Sequence, residues 1–269
     1  MTPPSDHQND DAAAERPDPF THPALAPYAD AIRATILPYV GITVREGARP
    51  GLFDSKFGGE PYLPRGTEIP KGSDGANLHL LAQLDFDEIP RLDGFPETGI
   101  LQFYISEQDG FGADFDHGTN QADFRVLYWP TVDRDDAITD FSFLHKPSWS
   151  PLDQDAMPLA LAFTLGREPV LPSDFRFEAH FEDPSDAFLD PYIEFFPRYG
   201  DVHQIGGYSS FCQDDPRPRA GPDHLIQLLQ VDSGVHIDWG DGGTANFFIR
   251  QQDLARRDFS NVLYTWDCL

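Results

Sequence analysis

The chain has 269 residues, of which 45 are Asp or Glu and 19 are Lys or Arg, giving a formal net charge of −26. This charge excludes nucleic acid as an expected partner, because phosphate binding needs a basic face, and it disfavours an anionic membrane surface. Two cysteines cannot build a disulfide framework. The N-terminus also lacks the basic and apolar segments of a signal peptide, so we expect a soluble cytoplasmic protein.

The N-terminal region divides into a polar tail and a helix. Residues 1–20 are rich in Pro, Asp and Ala and have little to bury, so we expect them to be disordered, with a single domain over residues 21–269. Apolar side chains then recur at helical spacing between Pro23 and Leu37, which predicts a helix that ends at Pro38.

Beyond this helix the apolar pattern changes to a period of two, which is typical of strands with one buried face. It occurs over residues 78–85, 100–105, 159–165 and 245–249. Residues 186–196 could hold a short helix. Together with 25 prolines and 22 glycines, this pattern predicts a mainly β, β-rich α+β fold with one N-terminal helix and many punctuated loops.

Four blocks of the sequence recur in the same order. Gly58-Gly59 recurs as Gly206-Gly207 at an offset of 148, and a Gln-x-Asp triplet recurs at an offset of 147. A Gly-to-Ile run and a Val-Leu-Tyr triplet follow at offsets of 144 and 136. We therefore predict an internal duplication, with repeats over about 51–139 and 200–269 and a connecting segment over 140–199. Such a chain is expected to form roll-like sheets in two pseudo-twofold halves.

Candidate ligand-binding residues come from the repeated Gln-x-Asp triplets. Strand alternation places Gln83 and Asp85 on one strand face, and Gln230 and Asp232 on the matching face of the second copy. If the halves pack about a pseudo-axis, these amides and carboxylates could converge in a cleft for a small polar ligand. The alternative is a buried hydrogen-bond network that stabilises the fold. Arg217 is a further candidate, as a carboxylate-binding residue in a polar loop.

Signatures of catalysis and metal binding are missing from the sequence. There is no His-Glu-x-x-His, no histidine pair at i, i+4 and no Gly-x-Ser-x-Gly. The glycine pairs do not belong to a phosphate-binding motif and are read either as a close backbone approach or as tight turns. We therefore predict no catalytic residue, no cofactor and no metal ion.

Several motifs resemble the YwqG-like family, which carries a domain of unknown function. The resemblance runs from about residue 40 to the C-terminus. The residues that carry it are Lys56-Phe57-Gly58-Gly59, Leu81-Ala82-Gln83-Leu84-Asp85-Phe86, Ile205-Gly206-Gly207-Tyr208, Asp215-Pro216-Arg217, Trp239-Gly240-Asp241 and Trp266-Asp267-Cys268. The resemblance implies a mainly β, roll-like fold. It also implies a link to bacterial toxin systems, and hence a toxin-neutralising role.

Two hypotheses about function follow. The first is a non-enzymatic binding protein that neutralises a basic protein partner, because a strongly acidic protein attracts cationic ones. The second is a small-ligand-binding or hydrolytic site in a cleft between the repeats, built from Gln83, Asp85, Gln230, Asp232 and Arg217.

Overall fold

The fold is built on one antiparallel sheet that curls into a half-barrel. A computed structural model describes residues 18–182, 184–196, 202–220, 223 and 225–269. Within these residues, ten strands follow the order β10-β9-β8-β7-β1-β6-β2-β3-β4-β5. The strands are β1 (Leu37–Val44), β2 (Lys56–Phe57), β3 (His79–Asp85), β4 (Ile100–Ile105), β5 (Phe124–Trp129), β6 (Leu159–Glu168), β7 (His203–Gly206), β8 (Ile226–Asp232), β9 (Thr244–Ile249) and β10 (Leu263–Asp267).

Helices are few and short, so the prediction of a mainly β fold is confirmed. The described α-helices are α1 (Ala29–Ala34), α2 (Phe177–His180), α3 (Asp186–Phe195), α4 (Arg217–Ala220) and α5 (Gln251–Arg256), with 3-10 turns at Pro19–Thr21, Ala26–Tyr28 and Asp109–Gly112. No helix among these residues is long and apolar enough to cross a membrane.

The main hydrophobic core fills the concave side of the sheet. Phe103 of β4 and Phe247 of β9 meet edge to face, with ring centroids 4.9 Å apart. These strands lie near opposite ends of the strand order, so their contact requires the sheet to curl. Phe247 also stacks on Tyr264 of β10 at 4.4 Å. A second apolar cluster packs α1 against α2 and α3.

The prediction that strands have one buried face was wrong for β3, β4 and β9. All six residues of β4 and of β9 are buried, as are six of the seven residues of β3. Loop side chains such as Leu63, Ile69 and Phe141 cover the outer face of β3 and β4. The polar positions of the alternating pattern are therefore buried as well, and they must form hydrogen bonds inside the protein.

The N-terminal prediction was also too long. The α-helix covers only Ala29–Ala34, and the chain has become strand β1 by Leu37. Leu37 precedes Pro38, and the residue before a proline is disfavoured in helical conformation. Most of the predicted tail, residues 1–17, lies outside the described residues, while a 3-10 turn begins at Pro19.

Candidate functional site

The predicted residue Gln83 lies on the outer face of β3, where it is completely buried. Its Oε1 accepts hydrogen bonds from the Tyr62 amide at 2.7 Å and from Gln102 Nε2 at 2.8 Å. Its Nε2 donates to the carbonyl oxygens of Leu52 and Asp54 at 2.9 and 3.0 Å. An amide side chain has two donors and two acceptor positions. Every hydrogen-bonding position of Gln83 is therefore occupied by the protein itself.

Gln102, which faces Gln83 across the β3–β4 pairing, is equally saturated. Its Nε2 donates to Gln83 and, at 2.7 Å, to the carbonyl oxygen of Tyr62. Its Oε1 accepts from the Tyr104 hydroxyl at 2.9 Å and from the Trp129 indole nitrogen at 2.7 Å. The two amides thus tie β3, β4 and β5 to the loop before β3, and they leave no free polar atom for a ligand.

A similar arrangement surrounds the second predicted glutamine, Gln230 of β8. Its Oε1 accepts from the Ser210 amide at 3.0 Å, and its Nε2 donates to the Val202 carbonyl oxygen at 2.8 Å. Asn246, which faces Gln230 across the β8–β9 pairing, donates to the Ser210 carbonyl oxygen at 3.0 Å and accepts from Gln227 Nε2 at 3.2 Å. These amides bind the segments just before and after β7, so each glutamine acts within its own end of the sheet.

The two predicted aspartates end strands β3 and β8. The Asp85 amide donates to Ser55 Oγ at 2.8 Å, and the Asp232 amide donates to His203 Nδ1 at 3.0 Å. Burial raises the pKa of the Asp85 carboxyl above its usual range. Asp232 accepts a 2.5 Å hydrogen bond from Thr244 Oγ1. Both aspartates are therefore engaged at strand ends.

Arg217 is fully buried within an ion network. Its Nη2 lies 2.6 Å from Asp215 and 2.8 Å from Asp174, and the guanidinium stands 4.5 Å above the ring centre of Phe248. Burial acts against the charge of Asp174, but hydrogen bonds from Arg176 and the charge of Arg217 hold the pKa of this carboxyl below its usual range. Arg217 thus joins α4 to the segment before α2, and the cavities described below are lined by other residues.

A cluster with metal-ligating chemistry lies elsewhere, beside β3 and β4. The imidazole nitrogens of His79 and His145 each lie 3.9 Å from a carboxylate oxygen of Glu107. One ligand atom from each of the three residues lies within 4.8 Å of the others. Glu107 Oε2 also accepts hydrogen bonds from the Ser148 amide at 2.8 Å and from Ser148 Oγ at 3.2 Å. Two imidazoles and one carboxylate are a donor set that divalent transition metals use.

This cluster opens onto a cavity of about 230 Å³. One wall is apolar, with Ile69, Leu78 and Phe141, while His79 and His145 belong to the polar part of the lining. The cavity runs along the first glycine pair, which also contributes to its wall.

Sequence reasoning missed the cluster because its members are far apart in the chain. His79 belongs to β3 and pairs in register with Ile105 of β4, two residues before Glu107. His145 comes from the long loop between β5 and β6. The i, i+4 spacing expected of a helical metal motif is absent. The available signal was the strand register, combined with a histidine at the start of one strand and a glutamate just past the end of the next.

A family model matches residues 55–268, described as DUF1963, a domain of unknown function. The chain belongs to the DUF1963 family. No curated protein matches the chain. The DUF1963 match begins just before β2 and includes the five predicted ligand-binding residues and all three residues of the histidine–glutamate cluster. It leaves out β1, although β1 lies in the middle of the sheet between β7 and β6.

The DUF1963 domain also carries an exposed aromatic group between two acidic cavities. Phe115 is 61% exposed, lies 6.1 Å from Trp266 and contributes to both cavities, each of about 350 Å³. Among the described residues, neither cavity has a Lys or Arg in its lining. We call this region the acidic aromatic surface; it comprises Phe115, Trp266, Asp109, Asp114, Asp116, Asp123, Asp214 and Asp267.

Proposed function

We propose that the chain is a non-enzymatic binding protein whose partner is a basic protein. The observation that carries this proposal is the acidic aromatic surface, where an exposed ring stands among six carboxylates. An aromatic face attracts a guanidinium or ammonium group within about 6 Å of its centre. Carboxylates around the ring supply charge-assisted hydrogen bonds to the same cation. Neutralising a basic toxin is the specific form of this function that the sequence resemblance favours.

The protonation states of the surface agree with this role. Hydrogen bonds from Asn120 and from the His117 backbone amide hold the pKa of Asp114 below its usual range, so this carboxylate stays charged near neutral pH. Burial raises the pKa of Asp267, which is half-buried. The exposed members Asp116 and Asp214 lie on either side of Phe115. A partner would therefore meet negative charge on both sides of one aromatic ring.

The proposal is tested with a fluorescent deca-arginine peptide, whose binding is followed by anisotropy at low and high salt. The surface variant replaces Asp109, Asp116 and Asp214 with Asn, since none of these exposed carboxylates accepts a hydrogen bond described here. The matched control replaces three exposed aspartates elsewhere, Asp93→Asn, Asp135→Asn and Asp190→Asn. Both variants change the net charge equally.

We expect the surface variant to bind the peptide at least about 10-fold more weakly than the wild type. The control variant should change the affinity by less than about twofold, because salt screens charges that are far from the bound peptide. Phe115→Ala should also weaken binding. Equal weakening in both triple variants would mean that the peptide senses only net charge, and the surface proposal would then be abandoned.

We further infer that the two ends of the sheet are repeats of one unit. Four hydrogen bonds support this, because each has a counterpart at the sequence offset of the repeats. The first-repeat bonds are Tyr62 N to Gln83, Gln102 to Tyr62 O, Gln83 to Asp54 O and Asp85 N to Ser55. Their counterparts are Ser210 N to Gln230, Asn246 to Ser210 O, Gln230 to Val202 O and Asp232 N to His203. A β-bulge also occurs at matching positions, after Leu80 and after Gln227.

Contacts across the core add support for a pseudo-twofold relation. Phe124 lies 5.1 Å from Tyr264, and Phe259 lies 5.5 Å from Tyr128. Phe124 and Phe259 each lie two or three residues before a Val-Leu-Tyr triplet, and Tyr128 and Tyr264 each end that triplet. Each phenylalanine therefore meets the tyrosine of the other triplet, as expected when a residue i meets j and j meets i about a twofold axis. The Gln-x-Asp residues are then best explained as a shared stabilising network, which favours surface binding over a ligand cleft built from them.

A further inference from the structure

We propose that His79, Glu107 and His145 form a binding site for one divalent transition-metal ion, with Zn²⁺ as the reference ion. The proposal rests on the geometry of the cluster and is independent of the basic partner. The three residues come from β3, from the segment after β4 and from the β5–β6 loop, so a bound ion would join three parts of the fold.

The spacing of the donor atoms fits an ion with little rearrangement. Zinc holds imidazole and carboxylate donors at about 2.0–2.2 Å, so neighbouring donors of a tetrahedral site lie roughly 3.3 Å apart. Each imidazole of the cluster lies 3.9 Å from Glu107. The rings of His79 and His145 are nearly perpendicular at 89°, with centroids 5.1 Å apart. The two 3.9 Å distances run to different oxygens of Glu107, and the three donor atoms lie within 4.8 Å of one another, so a bound ion would draw them together by about 1 Å. His145, which lies in a loop outside the strands, is the residue placed to make that movement.

His79 supplies a second, independent observation. Its Nε2 is buried and makes no hydrogen bond among the described residues; the nearest ionic partner is Glu107 at 3.9 Å. A buried polar atom without a partner is costly, and coordination to a metal would satisfy it. Burial, together with the neighbouring His145, lowers the pKa of His79.

Glu107 is held in place by the same loop that provides His145. The hydrogen bonds from Ser148 fix one carboxylate oxygen, which is the kind of support that orients metal ligands from outside the coordination shell. The backbone hydrogen bond from Ser148 also lowers the pKa of Glu107.

Three protein ligands leave at least one coordination position free, because zinc prefers four. His79 and His145 both line the cavity of about 230 Å³, which gives room for water or a small anionic ligand beside such an ion. The proposed site is thus open, as catalytic and ligand-exchanging metal sites are, and unlike closed structural ones.

The test uses the purified full chain after treatment with a chelator and removal of that chelator. Co²⁺ is added while visible absorption is recorded, and Zn²⁺ is then titrated by calorimetry and by displacement of Co²⁺. We expect one ion per chain and a Co²⁺ spectrum of a four- or five-coordinate site. His145→Ala should weaken Zn²⁺ binding by at least about 100-fold, since even the loss of an outer-shell partner costs about 10–100-fold.

His117→Ala is the matched control, because His117 is exposed at 79% and lies beside Asp114, outside the cluster. It should change Zn²⁺ affinity by less than about twofold. Glu107→Gln provides a second loss-of-site variant if the alanine variant fails to fold, which the melting temperature of the metal-free protein reports. No binding by the wild-type chain up to millimolar Zn²⁺, or equal affinity in wild type and both cluster variants, would overturn the proposal.

Discussion

Replacing Gln83 with methionine should destabilise the protein strongly, because methionine keeps the side-chain volume and removes only the amide. The substitution leaves two buried donor groups without a partner, the Tyr62 amide and one N–H of Gln102 Nε2, while the other N–H of Nε2 still donates to the Tyr62 carbonyl oxygen. The other two partners, the carbonyls of Leu52 and Asp54, are half-buried and can be hydrated. At about 1–3 kcal/mol for each buried unsatisfied group, the two fully buried groups give an expected loss of about 4 kcal/mol.

The measurement is equilibrium unfolding in urea, with the free energy extrapolated from transitions of unchanged slope. Gln230→Met should lower the free energy of unfolding by about 2 kcal/mol. The loss is smaller than for Gln83→Met because the partners Ser210 and Val202 are only half-buried. Gln251→Met, at an exposed position of α5, is the control and should change stability by less than about 0.5 kcal/mol. A loss below about 1 kcal/mol for Gln83→Met would refute the stabilising role of the network and revive the ligand-binding hypothesis at these residues.

Two further predictions concern stability. Gly59→Ala should lower the free energy of unfolding in urea by about 3 kcal/mol, because Gly59 has φ +77° and an added Cβ would lie 2.7 Å from Pro158. The control is Gly75→Ala, with φ +82° and no atom within 4 Å of the added Cβ, which should lower it by only about 1 kcal/mol. Equal losses in the two variants would contradict a close approach at Gly59. Burial lowers the pKa of Lys56 to about 8, so between this pH and about 10.5 the unfolded chain binds more protons than the folded one. The free energy of unfolding of the wild-type protein, compared with that of Lys56→Met, should therefore rise by about 3 kcal/mol from pH 8 to 10.5. Parallel pH profiles for the two proteins would contradict a buried, destabilised charge.

The strands could be predicted from sequence because their apolar pattern is local. The segments 78–85, 100–105 and 245–249 correspond to β3, β4 and β9, and the short helix near residue 186 is α3. What a period of two could not reveal is the environment of the polar face. Gln83 and Gln102 alternate with apolar residues exactly as solvent-facing positions do, yet long loops cover them. Loop placement depends on tertiary packing, which no local pattern encodes.

The candidate sites were harder to predict for a related reason. Gln83 and Gln230 were found because the Gln-x-Asp triplet recurs in the sequence. His79, Glu107 and His145 do not recur and share no local spacing, so only the strand register and the path of the β5–β6 loop bring them together. Phe115 likewise belongs to no repeated block. Phe115 lies in an irregular segment between the 3-10 turn at Asp109–Gly112 and β5, which sequence patterns do not resolve.

If the fold is duplicated, as we propose, this contrast suggests where function lies. At the offsets of the repeats, the counterpart of His79 is Ile226 and that of Glu107 is Gln251. The strand pairing is alike at both positions, with Ile226 opposite Ile249 as His79 is opposite Ile105, but the second position lacks the imidazole and the carboxylate. The recurring residues form a hydrogen-bond network within each end of the sheet. A site for a ligand or a partner needs to exist only once, so the positions at which the repeats differ are the better guide to function.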